Sequence, residues 1–123
     1  MNAQELQSYL CQFSGSENIY YRNSGVIRVD YTEGVRFLQQ QGFYWLIDAI
    51  ASYQTSAFKM ADDRQFWKLV TDLENSSAVL TCDDGNGNVR VTQHIPYTDC
   101  PLQELRIWVV IQPRVFLFLP SEN

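Results

Sequence analysis

The sequence predicts an α+β fold in which an antiparallel sheet of about five to six strands is packed on one face by two to three helices. Apolar residues in the first half of the chain recur mainly at helical spacing. In the second half they recur at every second position, and short polar turns containing Gly or Asn join these segments. We therefore expect a meander of strands followed by a C-terminal hairpin, with the helices gathered on one face.

The length and charge of the chain restrict its class. Its 123 residues match one ordinary domain, and no repeat or Pro/Gly/Ser-rich linker divides them, so we predict a single domain over residues 1–123. The formal net charge is −5 at pH 7, and the arginines are spread through the chain instead of clustered. Surfaces that bind phosphates normally carry clustered Lys and Arg, so we expect no nucleic-acid partner.

The lack of a recognisable targeting signal and the pattern of cysteines predict a cytoplasmic protein. The first residues lack the basic region and apolar stretch of a signal peptide, and no apolar run approaches the roughly 18 residues of a membrane helix. We therefore predict no membrane association. Cys11, Cys82 and Cys100 are odd in number and form no Cys-x-x-Cys pair, which favours reduced, partly buried thiols.

The first elements follow from apolar spacing and capping residues. Apolar side chains at helical spacing predict a first helix over residues 3–13. Val26–Tyr31 alternates apolar and polar residues and predicts a strand. Thr32 then serves as the N-cap of a helix over 33–41, with Gly42 as the residue after its C-cap.

The segment from Phe43 to Gln54 predicts the central helix of the fold. Its apolar residues form one helical stripe and also flank that stripe, so we expect burial on most sides. Asp48 and Ser52 lie four residues apart on this helix, and Tyr44 lies one turn earlier on the same face.

The second half of the chain predicts three strands, Phe66–Leu73, Ser77–Asp83 and Asn88–Ile95, joined by tight turns. With residue 73 opposite 78 and 83 opposite 88, the pattern separates into an apolar face and a polar face, as in a sheet packed on one side. The apolar face comprises Trp67, Leu69, Leu73, Leu80, Cys82, Val89 and Val91; the polar face comprises Lys68, Asp72, Thr81, Arg90, Thr92 and His94.

The C-terminal segment predicts a further hairpin, in which Gln112 and Pro113 join Leu105–Ile111 to Arg114–Leu119. Both faces of this hairpin carry large apolar residues. One face suffices for a small core, so the other predicts contact with a protein partner, and we expect a homodimer formed through the C-terminal hairpin.

The polar clusters do not predict a metal site, a cofactor or a catalytic residue. The acidic loop at residues 83–88 lacks the Gly and Glu positions of a calcium-binding EF-hand and is typical of a hairpin turn. His94 is the only histidine, and the strand register places it on the face opposite Cys82. A pairing of His94 with Cys100 and Asp99 stays open, since the segment between them is irregular.

Asp48 is the strongest candidate for a functional residue. A carboxylate on an apolar helix needs a hydrogen-bonding partner, because burying an unpaired charge costs several kcal/mol. It therefore either accepts from a nearby hydroxyl or backbone N–H, which fixes the helix, or serves as an acid in a pocket. We predict a binding site formed by Tyr44, Trp45, Asp48 and Ser52.

Four segments of the chain, Tyr31–Val35, Tyr44–Gln54, Leu80–Gly87 and Ile95–Asp99, resemble a family of small bacterial and phage proteins classed as a domain of unknown function. The motifs YWLIDAIASYQ and LTCDDGNG carry the resemblance, which extends from about residue 10 to Glu122. It implies a stand-alone cytoplasmic protein carried on mobile or phage-derived DNA, and it transfers no catalytic residue.

Two functions from different classes follow. The first is a non-catalytic binding or interaction module linked to mobile or phage-derived elements. It is favoured because the sequence shows no nucleophile–base pair, no metal-ligand spacing and no phosphate-binding loop. The alternative is a small-molecule-binding protein or enzyme with a pocket around Asp48, which would require a cavity beside that residue.

Overall fold

The computed structural model describes residues 2–15, 17–24, 27–55, 63–112 and 114–123. In chain order, the helices and strands of this part are α1 (Ala3–Leu10), β1 (Tyr20–Ser24), β2 (Ile27–Tyr31), α2 (Glu33–Leu38), α3 (Tyr44–Ser52), β3 (Arg64–Asp72), β4 (Ser77–Asp83), β5 (Val89–Ile95), β6 (Glu104–Val110) and β7 (Phe116–Phe118). A wide turn, Gln39–Phe43, joins α2 to α3, and a 3₁₀ turn, Pro120–Glu122, follows β7.

The strands form a seven-stranded sheet in the order β1-β2-β7-β6-β3-β4-β5. All neighbours run antiparallel except β2 and β7, which are parallel. The predicted α+β class is confirmed. The strand that the prediction lacked is β1, an edge strand that pairs with β2 and carries little apolar alternation.

The predicted N-cap of the second helix is confirmed, but the helix ends earlier than the predicted residue 41: α2 ends at Leu38, its C-cap is Gln39, and Gly42 lies in the wide turn that follows. The Thr32 hydroxyl accepts a hydrogen bond from the Val35 N–H at 3.3 Å, and Gly42 has a φ of 97°, which glycine adopts without the steric penalty of a side chain. The chain turns at Gly42 and starts α3 in a new direction. Helix α3 buries Leu46, Ile47, Ile50 and Ala51 and exposes only Tyr44 and Ser52, so it is at least partly buried on most sides, as predicted.

The meander β3–β4–β5 forms in a register that differs from the predicted one by two residues. Asp72 lies opposite Ser77, and the Asp72 carboxylate accepts hydrogen bonds from two backbone N–H groups of the turn that follows. Because the shift is even, side chains within the strands keep their predicted faces. Leu73 and Val89 lie at the strand ends and are 54% and 60% exposed, so their assignment to the packed face is wrong.

The core lies between the three helices and one face of the sheet, which we call the inner face. It includes Leu6, Leu10, Val29, Val35, Leu38, Leu46, Ile47, Ile50, Trp67, Leu69, Leu80, Ile107, Val109 and Leu117. The other face, the outer face, carries the alternate residues of the same strands. No helix of the described residues is long and apolar enough to cross a membrane.

The predicted C-terminal hairpin is confirmed as β6 and β7, with Trp108 opposite Phe118 and Val110 opposite Phe116. Leu105, Ile107 and Val109 are buried on the inner face, whereas Trp108 and Val110 are half-buried on the outer face. Large apolar residues therefore lie on both faces, as the sequence predicts. Pro113 of the predicted connection and Val26 of the predicted strand Val26–Tyr31 lie outside the described residues.

Candidate functional site

Asp48 forms an ion pair that joins α3 to β1. Its two carboxylate oxygens accept hydrogen bonds from Arg22, at 2.8 Å from Nε and 3.0 Å from Nη2. The side chains of Arg22 and Asp48 are 31% and 36% exposed. The hydrogen bond to Asp48 is the main reason why the pKa of Arg22 is raised further above its usual value. The donor to Asp48 is thus a guanidinium, where the sequence suggested a hydroxyl or a backbone N–H.

The other predicted site residues lie along the same helix. Tyr44 is 54% exposed and is close enough to Arg22 to make a smaller contribution to its raised pKa. The Ser52 hydroxyl donates a hydrogen bond to the Ala49 carbonyl oxygen at 2.6 Å. Its proton is therefore bonded within α3. Trp45 is half-buried, and its ring lies 6.5 Å from that of Phe43.

Sequence reasoning missed Arg22 because it did not predict β1. The flanking tyrosines of this strand pack against arginines: the guanidinium of Arg36 lies 4.3 Å from the Tyr20 ring centre, and that of Arg28 lies 4.3 Å from the Tyr21 ring centre. Contacts of this kind hold aromatic rings in place without a ligand. The aromatic pair Tyr20 and Tyr21 is the one local feature of this segment that is typical of a strand.

Buried Tyr31 lies next to this region, on β2. Its ring stacks on Tyr20 with 6.2 Å between the ring centres. Burial raises the pKa of the Tyr31 phenol, and the positive charges of Arg22 and Arg36 oppose that shift. The arginines therefore lie near the polar end of a buried phenol, which supports a structural role for this group of residues.

Two cavities that adjoin described residues lie away from α3. One of about 290 Å³ is bounded by α1, the first half of β6 and the turn after β7; its lining is Gln7, Leu10, Cys11, Glu104, Leu105, Arg106, Leu119, Pro120 and Ser121. Another of about 180 Å³ lies on the outer face of the C-terminal hairpin; its lining is Ile19, Asp30, Val110, Gln112, Arg114 and Phe116. Neither is lined by Tyr44, Trp45, Asp48 or Ser52.

In the acidic loop between β4 and β5, the Asp84 carboxylate accepts hydrogen bonds from other residues of the same loop. Asp84 accepts hydrogen bonds from the Asn88 side-chain amide at 2.8 Å and from the Asn86 N–H at 2.8 Å, which lower its pKa. Gly85 and Gly87 have positive φ angles of 86° and 89°. The loop is therefore the turn that the sequence predicts, closed by hydrogen bonds to an aspartate.

His94 and Cys82 lie on opposite faces of the sheet. His94 is opposite Val79 and Cys82 is opposite Val91, so the two side chains point to opposite faces as predicted. Cys100 is buried, and its thiol donates to the Leu102 carbonyl oxygen at 3.5 Å. Within the ranges that the structure describes, no group of three His, Cys, Asp or Glu side chains is arranged to hold a metal ion.

Comparison with known proteins identifies the family. A family of unknown function, DUF6876, matches residues 4–123, nearly the full chain. The chain belongs to DUF6876. No curated protein and no solved structure shows a significant match. The resemblance to a family of unknown function is therefore confirmed, and the roles of residues in this DUF6876 member are argued from its geometry.

The Arg22–Asp48 ion pair is expected to make a small contribution to the stability of this DUF6876 member. Both side chains are about a third exposed, and ion pairs at such positions contribute about 0–1 kcal/mol, toward the upper end when the geometry is bidentate. We expect Asp48→Asn to lower the free energy of unfolding by about 1 kcal/mol or less, measured by urea denaturation, with Ser52→Ala as the control on the same helix. An Asp48→Asn variant more stable than the wild type would contradict the structural role and support a ligand site.

Proposed function

We propose that this DUF6876 member is a non-catalytic interaction module that forms a homodimer through the outer face of the C-terminal hairpin. The observation that carries the proposal is the cavity of about 180 Å³ on that face. Ile19, Val110 and Phe116 give it apolar walls, and Asp30 and Arg114 lie at its margin. Such a cavity has the size and lining to receive an apolar side chain from a partner.

A row of aromatic rings extends this surface across three strands. Phe66 lies 5.2 Å from Trp108, Trp108 lies 6.3 Å from Phe118, and Phe118 lies 6.0 Å from Phe116, all measured between ring centres. Phe118 is 6% exposed, whereas Phe66, Trp108 and Phe116 are partly exposed, so part of this row reaches the surface. Sheet faces that meet water normally carry polar residues, and a row of aromatic rings there favours contact with another protein.

The charges around the cavity favour a second copy of the chain as the partner. Asp30 accepts from Arg28 at 3.0 Å and lies 4.0 Å from the guanidinium of Arg114, which is 64% exposed. Both signs of charge therefore border the same apolar cavity. A two-fold axis through this patch would bring Arg114 of one copy toward Asp30 of the other, and a self-complementary patch is what a two-fold dimer requires.

The oligomeric state tests this proposal. We expect sedimentation at micromolar concentration to give twice the chain mass of 14.3 kDa. Ile19 is 62% exposed, so Ile19→Glu should preserve the fold, place a second negative charge near Asp30 and shift the protein to monomer. Thr92→Glu, on the outer face but on the far edge strand β5, is the matched control and should leave the dimer intact. A wild-type protein that sediments only as the monomer would contradict the proposal.

The cellular setting of the proposal comes from the sequence resemblance. It supports a cytoplasmic protein that acts as an accessory of mobile or phage-derived elements. The alternative, a small-molecule site or enzyme pocket around Asp48, has less support because that carboxylate already accepts two hydrogen bonds from Arg22. The two cavities described above also lie elsewhere.

A further inference from the structure

The 3₁₀ turn Pro120–Glu122, which we call the C-terminal turn, lies beside the first half of β6. Strand β7 pairs with residues 108–110 of β6, whereas β3 pairs with β6 along its whole length. If the register of β7 is continued by two residues, Pro120 falls opposite Arg106. The C-terminal turn contacts β6, and it lines the same cavity of about 290 Å³ as residues 104–106. It therefore occupies the strand position next to this part of β6.

The backbone of this part of β6 has hydrogen-bonding groups on the side of the C-terminal turn. The Thr71 N–H donates to the Gln103 carbonyl oxygen at 2.9 Å. In an antiparallel pair, hydrogen-bonded and non-hydrogen-bonded residues alternate, so the odd-numbered residues of β6 bond to β3. The N–H and C=O groups of Glu104 and Arg106 consequently point toward the C-terminal turn.

The C-terminal turn covers these groups without pairing with them as a strand. Proline has no N–H to donate, so Pro120 cannot satisfy the Arg106 carbonyl. The Pro120 carbonyl oxygen accepts from the Asn123 N–H at 3.3 Å, at the end of the chain. Among the described residues, no backbone hydrogen bond joins Pro120 to Arg106. The turn thus covers the edge of β6 by contact and leaves its backbone groups able to pair with a strand.

The covered part of β6 is complementary to a second copy of itself. Glu104 and Arg106 are both exposed on the outer face, where Arg106 Nε donates to the Glu104 carboxylate at 3.1 Å. If two copies pair antiparallel about Leu105, Glu104 of one copy lies opposite Arg106 of the other. Both pairs are then of the hydrogen-bonded kind, because the backbone groups of these residues point outward from β3. Opposite charges in such cross-strand pairs stabilise a sheet, so the charge pattern favours a second copy of the chain on this edge.

Glu122 anchors the C-terminal turn to α2. Its carboxylate accepts hydrogen bonds from the Thr32 hydroxyl at 2.6 Å and from the Gly34 N–H at 3.2 Å, both at the start of α2. It also accepts from the Leu119 N–H at 3.0 Å. The position of the turn therefore depends on one side chain, and replacing that side chain is a direct way to release the turn.

We infer that the C-terminal turn prevents residues 104–107 of β6 from pairing with a second copy of the chain. Edge prolines and covering loops are means by which sheets avoid edge-to-edge association. Release of the turn exposes the backbone groups of Glu104 and Arg106, and two copies then join their sheets through β6. This edge is separate from the outer-face cavity, so the inference and the proposed homodimer can fail independently.

Sedimentation of variants that all carry Ile19→Glu tests the inference, because this background lacks the outer-face contact. Adding Glu122→Ala removes the anchor of the turn, and we expect the mean mass at high micromolar concentration to rise to about twice that of the parent. Gln65→Leu is the matched control: it removes buried hydrogen bonds in the core, leaves the turn in place and should keep the parent mass. All masses are measured at a temperature at which circular dichroism shows each variant to be folded.

Charge exchange at the two exposed positions shows whether β6 forms the contact. With the turn released, Glu104→Arg places like charges opposite each other and should return the protein to the parent mass. Adding Arg106→Glu restores opposite charges and should restore the doubled mass. Glu122→Gln, which removes the acceptor for one N–H only, replaces Glu122→Ala in the same series if that variant does not fold. Unchanged mass on release of the turn, equal association of the Gln65→Leu control, or association that persists in Glu104→Arg would overturn the inference.

Discussion

Replacing Gln65 with Leu is expected to lower the free energy of unfolding by about 2–4 kcal/mol, because it removes the centre of a buried hydrogen-bond network. Gln65 is 2% exposed on the inner face of β3. Its side-chain oxygen accepts from the Trp67 indole N–H at 2.9 Å and from the Gln54 amide at 2.7 Å. Its own amide donates back to the Gln54 oxygen at 2.9 Å. The substitution takes an acceptor from Trp67 and both bonds of the reciprocal pair from Gln54.

A double-mutant cycle separates the glutamine pair from the packing around it. Gln54→Leu alone leaves the Gln65 amide without its acceptor, and should cost about 1–3 kcal/mol. The Gln54→Leu and Gln65→Leu variants combined should cost less than the sum of the two, since both halves of the pair are removed together. Gln40→Leu, at an exposed position, is the control and should stay within about 0.5 kcal/mol. Urea denaturation followed by tryptophan fluorescence measures all four, and a Gln65→Leu variant as stable as the wild type would contradict the network's role.

The local patterns of the sequence predicted most of the fold. Alternation placed Trp67, Leu69 and Leu80 on the packed face, and they are 1% exposed. Thr32 predicted the start of α2, and Gly42 predicted the change of direction before α3, because capping and positive φ depend on a few neighbouring residues. A two-residue error in register did not disturb the faces, since side chains alternate with a period of two.

The parts that the sequence did not predict depend on contacts between distant segments. The parallel pairing of β2 with β7 joins the first third of the chain to its end, and no local pattern encodes it. Gln54 and Gln65 are polar, and each taken alone would be assigned to the surface. Each can be buried because the other provides hydrogen bonds to its side-chain amide. The partner of Asp48 is Arg22, on an edge strand whose local sequence carries little signal.

Glu122 joins the end of the chain to the start of α2. One carboxylate oxygen accepts from the Thr32 hydroxyl at 2.6 Å and from the Leu119 N–H at 3.0 Å, and the other accepts from the Gly34 N–H at 3.2 Å. A Cβ at Gly34 would lie 2.5 Å from that carboxylate and 2.6 Å from a methyl group of Leu119. Gly34 is therefore required for close approach, because any side chain there displaces the carboxylate or Leu119.

We expect Glu122→Ala to lower the free energy of unfolding by about 2–4 kcal/mol, because the buried N–H groups of Leu119 and Gly34 lose their acceptor at about 1–3 kcal/mol each. Asn123→Ala, at the adjacent exposed position, is the control and should change stability by no more than about 0.5 kcal/mol. Gly34→Ala should also destabilise the wild type, but less so in the Glu122→Ala background, where one of its two clashes is gone. Thermal and urea denaturation of the four variants would measure this coupling, and strictly additive losses would show that the carboxylate does not hold the start of α2.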